Sequence, residues 1–229
     1  MKEDITVGEI VALDFRAASI FREAGIDFCC GGKKSIDATC TEKGIDRDEL
    51  IEKLEKLKEI PDTTGHNFID WDAGFLCDYI VNTHHKYVLK TLPELVTYTA
   101  KIASVHGEHH PELKIVADLF SQINKELLQH LKNEEEVFFP SIKQAKDFGS
   151  ENAKATIRSE ISRLSVEHEF AGGTMDKINV ITSNYKVPDD GCNTYKVAFQ
   201  LLREFEDDLH THVHLENNIL YPKAIILAK

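Results

Sequence analysis

His130-Leu131-Lys132-Asn133-Glu134-Glu135-Glu136-Val137-Phe138-Phe139-Pro140 returns in altered form as His212-Val213-His214-Leu215-Glu216-Asn217-Asn218-Ile219-Leu220-Tyr221-Pro222. Both copies read H-x3-E-x2-[VI]-[FL]-[FY]-P. Residues four apart on an α-helix share a face, so in each copy the imidazole stands one turn from the carboxylate and aims the same way. Imidazole and carboxylate together suit iron, and a carboxylate can join two ions. Each copy therefore reads as half of a metal site. Two copies predict a dinuclear centre carried on helices.

The sequence around the motif predicts the scaffold. From Asp72 onward, apolar residues recur at helical spacing over about 72–104, 111–146, 152–184 and 193–226. Breaks fall at Gly107 to Pro111, at Phe148-Gly149-Ser150 and at Val187-Pro188-Asp189-Asp190-Gly191. No segment alternates as a strand does. Four long helices with short connections predict an antiparallel four-helix bundle, in whose core ligands from facing helices converge.

The two motif copies lie on the second and fourth helices, so the first and third must complete the site. The first offers His84 and His85, the third His168. His85 precedes His130 by 45 residues and His168 precedes His212 by 44, as expected of two similar helical hairpins. His84 and His85 point about 100° apart on a helix, so only one faces the centre well, and His85 is preferred. The predicted site has His85, His130, His168 and His212 as terminal ligands, with Glu134 and Glu216 bridging. Two non-haem iron ions with an oxo or hydroxo bridge would fit it. The lack of thiolates argues against a structural zinc site; manganese or a mixed pair stays open.

Each of these residues also has an ordinary reading. A lone helical His is more often solvated than ligating, and Glu134 sits in an acidic run that would usually be a wet face. The joint pattern, duplicated and evenly spaced, decides for the metal. Other histidines fit less well. His106 lies roughly 31 Å from His85 along a continuous helix, within reach only if Leu92-Pro93 breaks it. His109 and His110 fall in a predicted exposed loop, His66 in a linker, and His214 is turned about 200° from His212. Glu126 and Glu167 are either surface carboxylates or acceptors for the second N–H of a ligating His.

With 229 residues, 42% of them hydrophobic, the chain can build a substantial core. A net charge of −12 and a missing basic stripe argue against nucleic acid as a partner. Met1-Lys2-Glu3-Asp4 opens without the apolar run of a signal peptide, and no stretch nears the roughly 20 apolar residues that cross a bilayer. The expectation is a soluble, cytoplasmic protein. Five unevenly spaced cysteines (Cys29, Cys30, Cys40, Cys77 and Cys192) make a poor disulfide framework and fit a reducing compartment.

Residues 5–58 read as a small helical unit. Thr6 caps a helix from Val7 to Leu13, a second runs from Ala17 to Ala24 and stops at Gly25, and a third spans Arg47 to Lys58. Between the second and third lies Phe28-Cys29-Cys30-Gly31-Gly32. Residues 59–70 lack periodicity and read as a linker.

These residues resemble the RIC (repair of iron centres) family of ScdA-type di-iron proteins. Asp27-Phe28-Cys29-Cys30-Gly31-Gly32-Lys33 looks like the motif of that family's short N-terminal domain. Thr6-Val7-Gly8-Glu9-Ile10 and Arg16-Ala17-Ala18-Ser19-Ile20-Phe21 fit the same domain. The resemblance covers nearly the whole chain and carries the family's ligands onto His85, His130, Glu134, His168, His212 and Glu216. The pair His84-His85 departs from the pattern, in which only the second His is expected to match. The implied fold is all-α: a small ScdA-type helical domain over 1–58, a linker over 59–70, and a hemerythrin-like antiparallel four-helix bundle over 71–229.

The resemblance also implies a non-haem di-iron protein that restores iron–sulfur clusters damaged by nitric oxide or oxidative stress, by supplying iron. Its partners would be damaged iron–sulfur proteins, with NO or O2 as small ligands; the choice between monomer and homodimer stays open. Adjacent cysteines form only a strained disulfide. Cys29 and Cys30 are instead expected to receive iron, nitric oxide or electrons, against the alternative that one merely packs in the small domain. Cys40, Cys77 and Cys192 read as ordinary thiols. Two competing functions remain. One is a hemerythrin-like carrier or sensor of O2 or NO, which has no need of the Cys-Cys-Gly-Gly domain. The other is a di-iron reductase of NO, nitrite or peroxide, which would turn over with an electron donor.

Overall fold

The computed structural model describes residues 5–61 and 67–229. The expectations for His66 and for the first four residues lie outside the described residues. The protein is all-α.

The N-terminal unit comprises α1 (Val7–Leu13), α2 (Ala17–Glu23), α3 (Ile36–Lys43) and α4 (Arg47–Glu59). Thr6 caps α1 reciprocally: its hydroxyl accepts from the Glu9 N–H at 3.2 Å and its own N–H donates to Glu9 Oε2 at 2.8 Å. Gly25, just past α2, sits in the left-handed region, φ 66°, which only glycine enters cheaply. Helix α3 escaped the sequence reading because it has no apolar stripe; Ile36, Thr39 and Cys40 alone are buried.

The bundle comes next in the chain. Its first helix is α5 (Ala73–Ile80), a π turn at Val81–His85 and α6 (Lys86–His106). Its second is α7 (Glu112–Asn133), a π turn at Glu134–Phe138 and α8 (Phe139–Phe148). The third, α9 (Glu151–Ile181), runs without interruption. The fourth is α10 (Asn193–Leu215), a π turn at Glu216–Leu220 and α11 (Tyr221–Leu227). Pro93 sits inside α6 without ending it, so the first helix is continuous to His106. α9 stops earlier than expected, because Ser183, Asn184 and Tyr185 adopt left-handed φ values of 52°, 59° and 55°. A left-handed backbone at a bulky residue such as Tyr185 is costly. Burial against the Phe199 ring and a contact with the Arg203 guanidinium, 5.8 Å from the Tyr185 ring centroid, hold it there.

The apolar core has two parts. One joins the N-terminal unit (Val7, Val11, Phe21 and Phe28) to the end of the bundle carrying Val88, Leu127, Met175 and Phe205. The other gathers Leu76, Phe138, Ile157, Leu215 and Tyr221 at the opposite end. Between them lies a polar layer, crossed by every bundle helix: His85, His130 with Glu134, His168, and His212 with Glu216, all buried.

Candidate metal centre

The motif's local fold explains how its carboxylates reach the layer. In each copy, the stretch from the Glu through the second apolar position forms the π turn, and the proline stands at the start of the next helix. Proline has no N–H to give the carbonyl four residues back. The register widens instead: the Phe139 N–H donates to the Glu134 carbonyl, and the Tyr221 N–H to that of Glu216. A π turn inserts one residue, which rotates the helix on its C-terminal side by about 100° relative to the helix on its N-terminal side.

The structure brings all six predicted residues together. They form two overlapping groups, His85/His212 and His130/His168, and each group shares both Glu134 and Glu216. His85 Nε2 lies 3.4 Å from Glu134 Oε2 and 3.9 Å from Glu216 Oε1. His212 Nε2 is 3.1 Å from Glu216 Oε1. On the other side, His130 Nε2 is 3.3 Å from Glu134 Oε2, and His168 Nε2 is 3.1 Å from Glu216 Oε2.

Side chains outside the layer fix the rings. Glu135 Oε1 takes His85 Nδ1 at 2.8 Å, Glu167 Oε2 takes His130 Nδ1 at 2.8 Å, and Asn217 Oδ1 takes His168 Nδ1 at 3.0 Å. With Nδ1 held this way, Nε2 points into the layer, as a ligating imidazole requires. Glu167 is itself braced by Arg163. Glu126 is exposed and takes no such role. Sequence reasoning missed Glu135 and Asn217. The signal was there: in each motif copy the residue just after the Glu is polar and holds a His of another helix. Tyr221 was also missed; its hydroxyl donates to Glu134 Oε1 at 3.1 Å.

The neighbouring histidines stand apart from the layer. His84 Nδ1 pairs with Asp208 at 2.8 Å, and its ring stacks on His212 with centroids 5.6 Å apart. His214 is fully buried and faces the N-terminal unit, against Phe15 and Phe28. His110 is not a free loop residue but bridges Glu112 and Asp190. His106 contacts Cys192 Sγ at 3.2 Å. Cys192 is therefore no ordinary thiol: the His106 ring and backbone N–H groups lower it to about 7.

The donor set fits a cation. His85 Nε2, Glu134 Oε2, both oxygens of Glu216 and both ring nitrogens of His212 are buried without a hydrogen-bond partner. Leaving so many polar atoms unsatisfied would be expensive in a layer built to hold nothing. The electrostatics agree. Burial works against a charged His85, yet the facing carboxylates of Glu134 and Glu216 hold it at about 10. Burial likewise opposes a charge on His130, and Glu134 overrides it, again to about 10. Burial and Glu216 would raise Glu134, but the His130 and His85 imidazoles bring it down to about 2. His212, by contrast, is held below its usual value by burial. His85 on one side of the layer and His130 on the other are thus held in the charged form when no cation is present.

The thiol turn docks beside this layer. Asn218, within the same π turn as Glu216, donates to the Phe28 carbonyl at 3.1 Å and the Cys29 carbonyl at 3.3 Å. Asp27 Oδ1 accepts from the N–H groups of Cys29 and Cys30 at 2.8 and 3.0 Å. Cys30 Sγ lies 3.5 Å from the carbonyl of His168. The two sulfurs are 3.9 Å apart and free. Cys29 is buried, and the Cys30 sulfur, burial and Asp27 push its thiol well up; Cys30 is half-exposed.

Comparison with known proteins adds the lineage. Residues 3–58 match the ScdA_N family, described as a domain of unknown function (DUF542). Residues 78–224 match the hemerythrin HHE cation binding domain. The chain is 36% identical over 227 residues to the iron-sulfur cluster repair protein ScdA of Staphylococcus epidermidis, covering 97% of this chain and 98% of that protein. It is 33% identical over 225 residues to the iron-sulfur cluster repair protein YtfE of Pectobacterium atrosepticum, covering 97% of each. The ScdA of Staphylococcus haemolyticus is 34% identical over 218 residues, covering 95% of this chain and 96% of that protein.

Proposed function

Because the chain belongs to the ScdA/YtfE family of iron–sulfur cluster repair proteins, we propose that it repairs damaged clusters by supplying iron held in the bundle. The metal would be two iron ions, one held by His85 and His212, the other by His130 and His168. Glu134 and Glu216 would bridge them. Bound there, iron would supply a redox-switchable positive charge, and the site would hold the ion less tightly in its reduced, lower-charge state.

The protein's own residues do the rest. Glu135, Glu167 and Asn217 keep three imidazoles aimed inward. Two buried carboxylates offset the ions' charge. The apolar clusters on either side keep water from the layer. Cys29 and Cys30 act at the exit, accepting the iron that leaves the bundle. The partners are damaged iron–sulfur proteins, and the compartment is the cytoplasm, in keeping with five unpaired thiols. No helix among the described residues is long and apolar enough to cross a membrane.

One observation carries this reading over a plain gas carrier: the vicinal thiols are latched, through Asn218, to the very turn that bears Glu216. A carrier of O2 has no use for that latch. The test mixes the iron-loaded protein with a nitric-oxide-damaged [4Fe–4S] hydratase, without added iron, and follows hydratase activity. Recovery is expected with the wild type and not with a Glu134→Leu/Glu216→Leu variant. No recovery, with the iron still bound, would turn the assignment toward gas binding or reduction.

A further inference from the structure

A second set of ligand-type side chains lies outside the His/Glu layer. Asp176 on α9, with Glu206 and His210 on α10, each bring one donor atom within 4.8 Å of the other two. Glu206 and His210 are four residues apart, the helical spacing that pairs His130 with Glu134 and His212 with Glu216, in reverse order. The cleft they line is also lined by Asp27 and Cys29, and Cys30 borders it next to His210.

Two of the three donors, Asp176 and His210, are uncommitted. Asp27 is occupied with the N–H groups of the thiol turn. Asp176 makes no hydrogen bond or ion pair among the described residues, and neither ring nitrogen of His210 makes one; that ring only packs its edge on Phe28, centroids 6.2 Å apart. Glu206 is buried and receives a hydrogen bond from Asn179 at 3.0 Å. The nearby arginines are engaged elsewhere: Arg22 with Asp207, and Arg203 with the Asn184 carbonyl. Two carboxylates and an imidazole thus converge, with the Lys43 ammonium lining the same cleft. Nitrogen and oxygen donors beside thiols select Fe2+ over Mg2+ or Ca2+, which favour all-oxygen sites. Metal–ligand bonds of about 2.1 Å place opposite donors about 4.2 Å apart, so small side-chain rotations close the site.

We propose that Asp176, Glu206 and His210 form an accessory divalent-iron site in the cleft between the thiol turn and the bundle. It is a way station for iron moving between the buried layer and the surface. Movement through it is ligand exchange at constant oxidation state, so no oxidant or reductant is consumed. The way-station role rests on the iron-supply reading; the site itself does not.

The experiment titrates protein already loaded in the bundle with Fe2+ alone, anaerobically, in equilibrium dialysis with no damaged acceptor present. One further ion per chain is expected, not displaced by excess Mg2+. Removing a ligand should weaken it by at least the roughly tenfold that losing an outer partner of a metal site does. Asp176→Asn is the first variant, since Asp176 is exposed and the change is isosteric; His210→Gln is the second. Both should keep the bundle iron and its absorption while losing the extra ion. The inference is overturned if the wild type takes up no further Fe2+, if Mg2+ displaces it, or if the Asp176→Asn variant, with its bundle iron intact, retains it unweakened. Because no acceptor is present, failure of repair and failure of this site are read separately.

Discussion

His85 and His130 are the two imidazoles that the layer holds in the charged form. Each is held at about 10 by the carboxylates it faces. The metal-free protein at pH 7 therefore carries a proton on each, offsetting Glu134 and Glu216. A cation must displace both. Iron loading at pH 7–8 should release about two protons per chain, and the release should fade as the pH rises through 10, where both rings are already neutral. Anaerobic Fe2+ titration of the metal-free protein in weak buffer with an indicator dye measures this; iron uptake with no proton release would mean that both imidazoles are neutral beforehand. Asn218 makes the second case at this scale. Asn218→Ala removes the donor to two carbonyls of the thiol turn and leaves every layer residue in place. Iron content should stay near wild type, while Cys30 alkylation quickens several-fold and cluster repair falls. Unchanged alkylation would show that the turn docks without the latch.

At the level of elements, the three π turns matter more than helix propensity does. Each contains or begins with a layer residue: His85, Glu134 or Glu216. α9 has none, and it contributes His168 alone. The docking of α1 and the thiol turn depends on close approach. A Cβ on Gly8 would meet Asn218 Oδ1 at 2.5 Å, and one on Gly32 would meet the Phe28 carbonyl at 2.5 Å. At Gly25, φ is 66° and nothing lies within 4 Å. Gly32→Ala should therefore cost about 1–3 kcal/mol by overpacking and expose Cys30. Gly25→Ala should cost only about 1 kcal/mol of backbone strain and leave the thiols as they are. Urea unfolding with thiol alkylation on both variants separates the two; equal thiol exposure would refute a docking role for Gly32.

The whole molecule folds around a layer that its apolar clusters do not fill. Cation binding to the folded state alone adds RT ln(1 + [L]/Kd), about 2.7 kcal/mol at a hundredfold excess over Kd. For a chain of 229 residues, that corresponds to a melting point raised by roughly 5–10 °C. Iron removal with a chelator should lower the melting temperature by this order and keep the helical signal, because the two imidazolium charges hold the layer together without metal. Calorimetry of the loaded and stripped forms checks it; an unfolded stripped form would mean that the protons do not compensate for the ions.

The bundle was legible in the sequence because helical periodicity and the spacing of His85, His130, His168 and His212 are local or additive properties of a chain. Four helices of similar length, joined by short connections, have few ways to bury one stripe each. Four of the six layer residues were readable from the repeat, His85 and His168 from their spacing to it, and the family resemblance from Cys-Cys-Gly-Gly. Tertiary structure alone decided the features that depend on contacts between distant segments. The π turns at Glu134–Phe138 and Glu216–Leu220 arise where proline withholds an N–H and a buried carboxylate must be turned inward; the one at Val81–His85 has no proline just after it. Glu135, Glu167 and Asn217 gain their roles only when helices 30 to 50 residues apart in sequence come within 3.0 Å. The left-handed run at Tyr185 obeys no local preference and persists because packing on Phe199 outweighs its strain. Likewise, the latch of Asn218 on the thiol turn, and the meeting of Asp176 with Glu206 and His210, join segments that share no sequence pattern. Periodicity fixes which face of a helix is buried; only the packed fold fixes which side chains meet there.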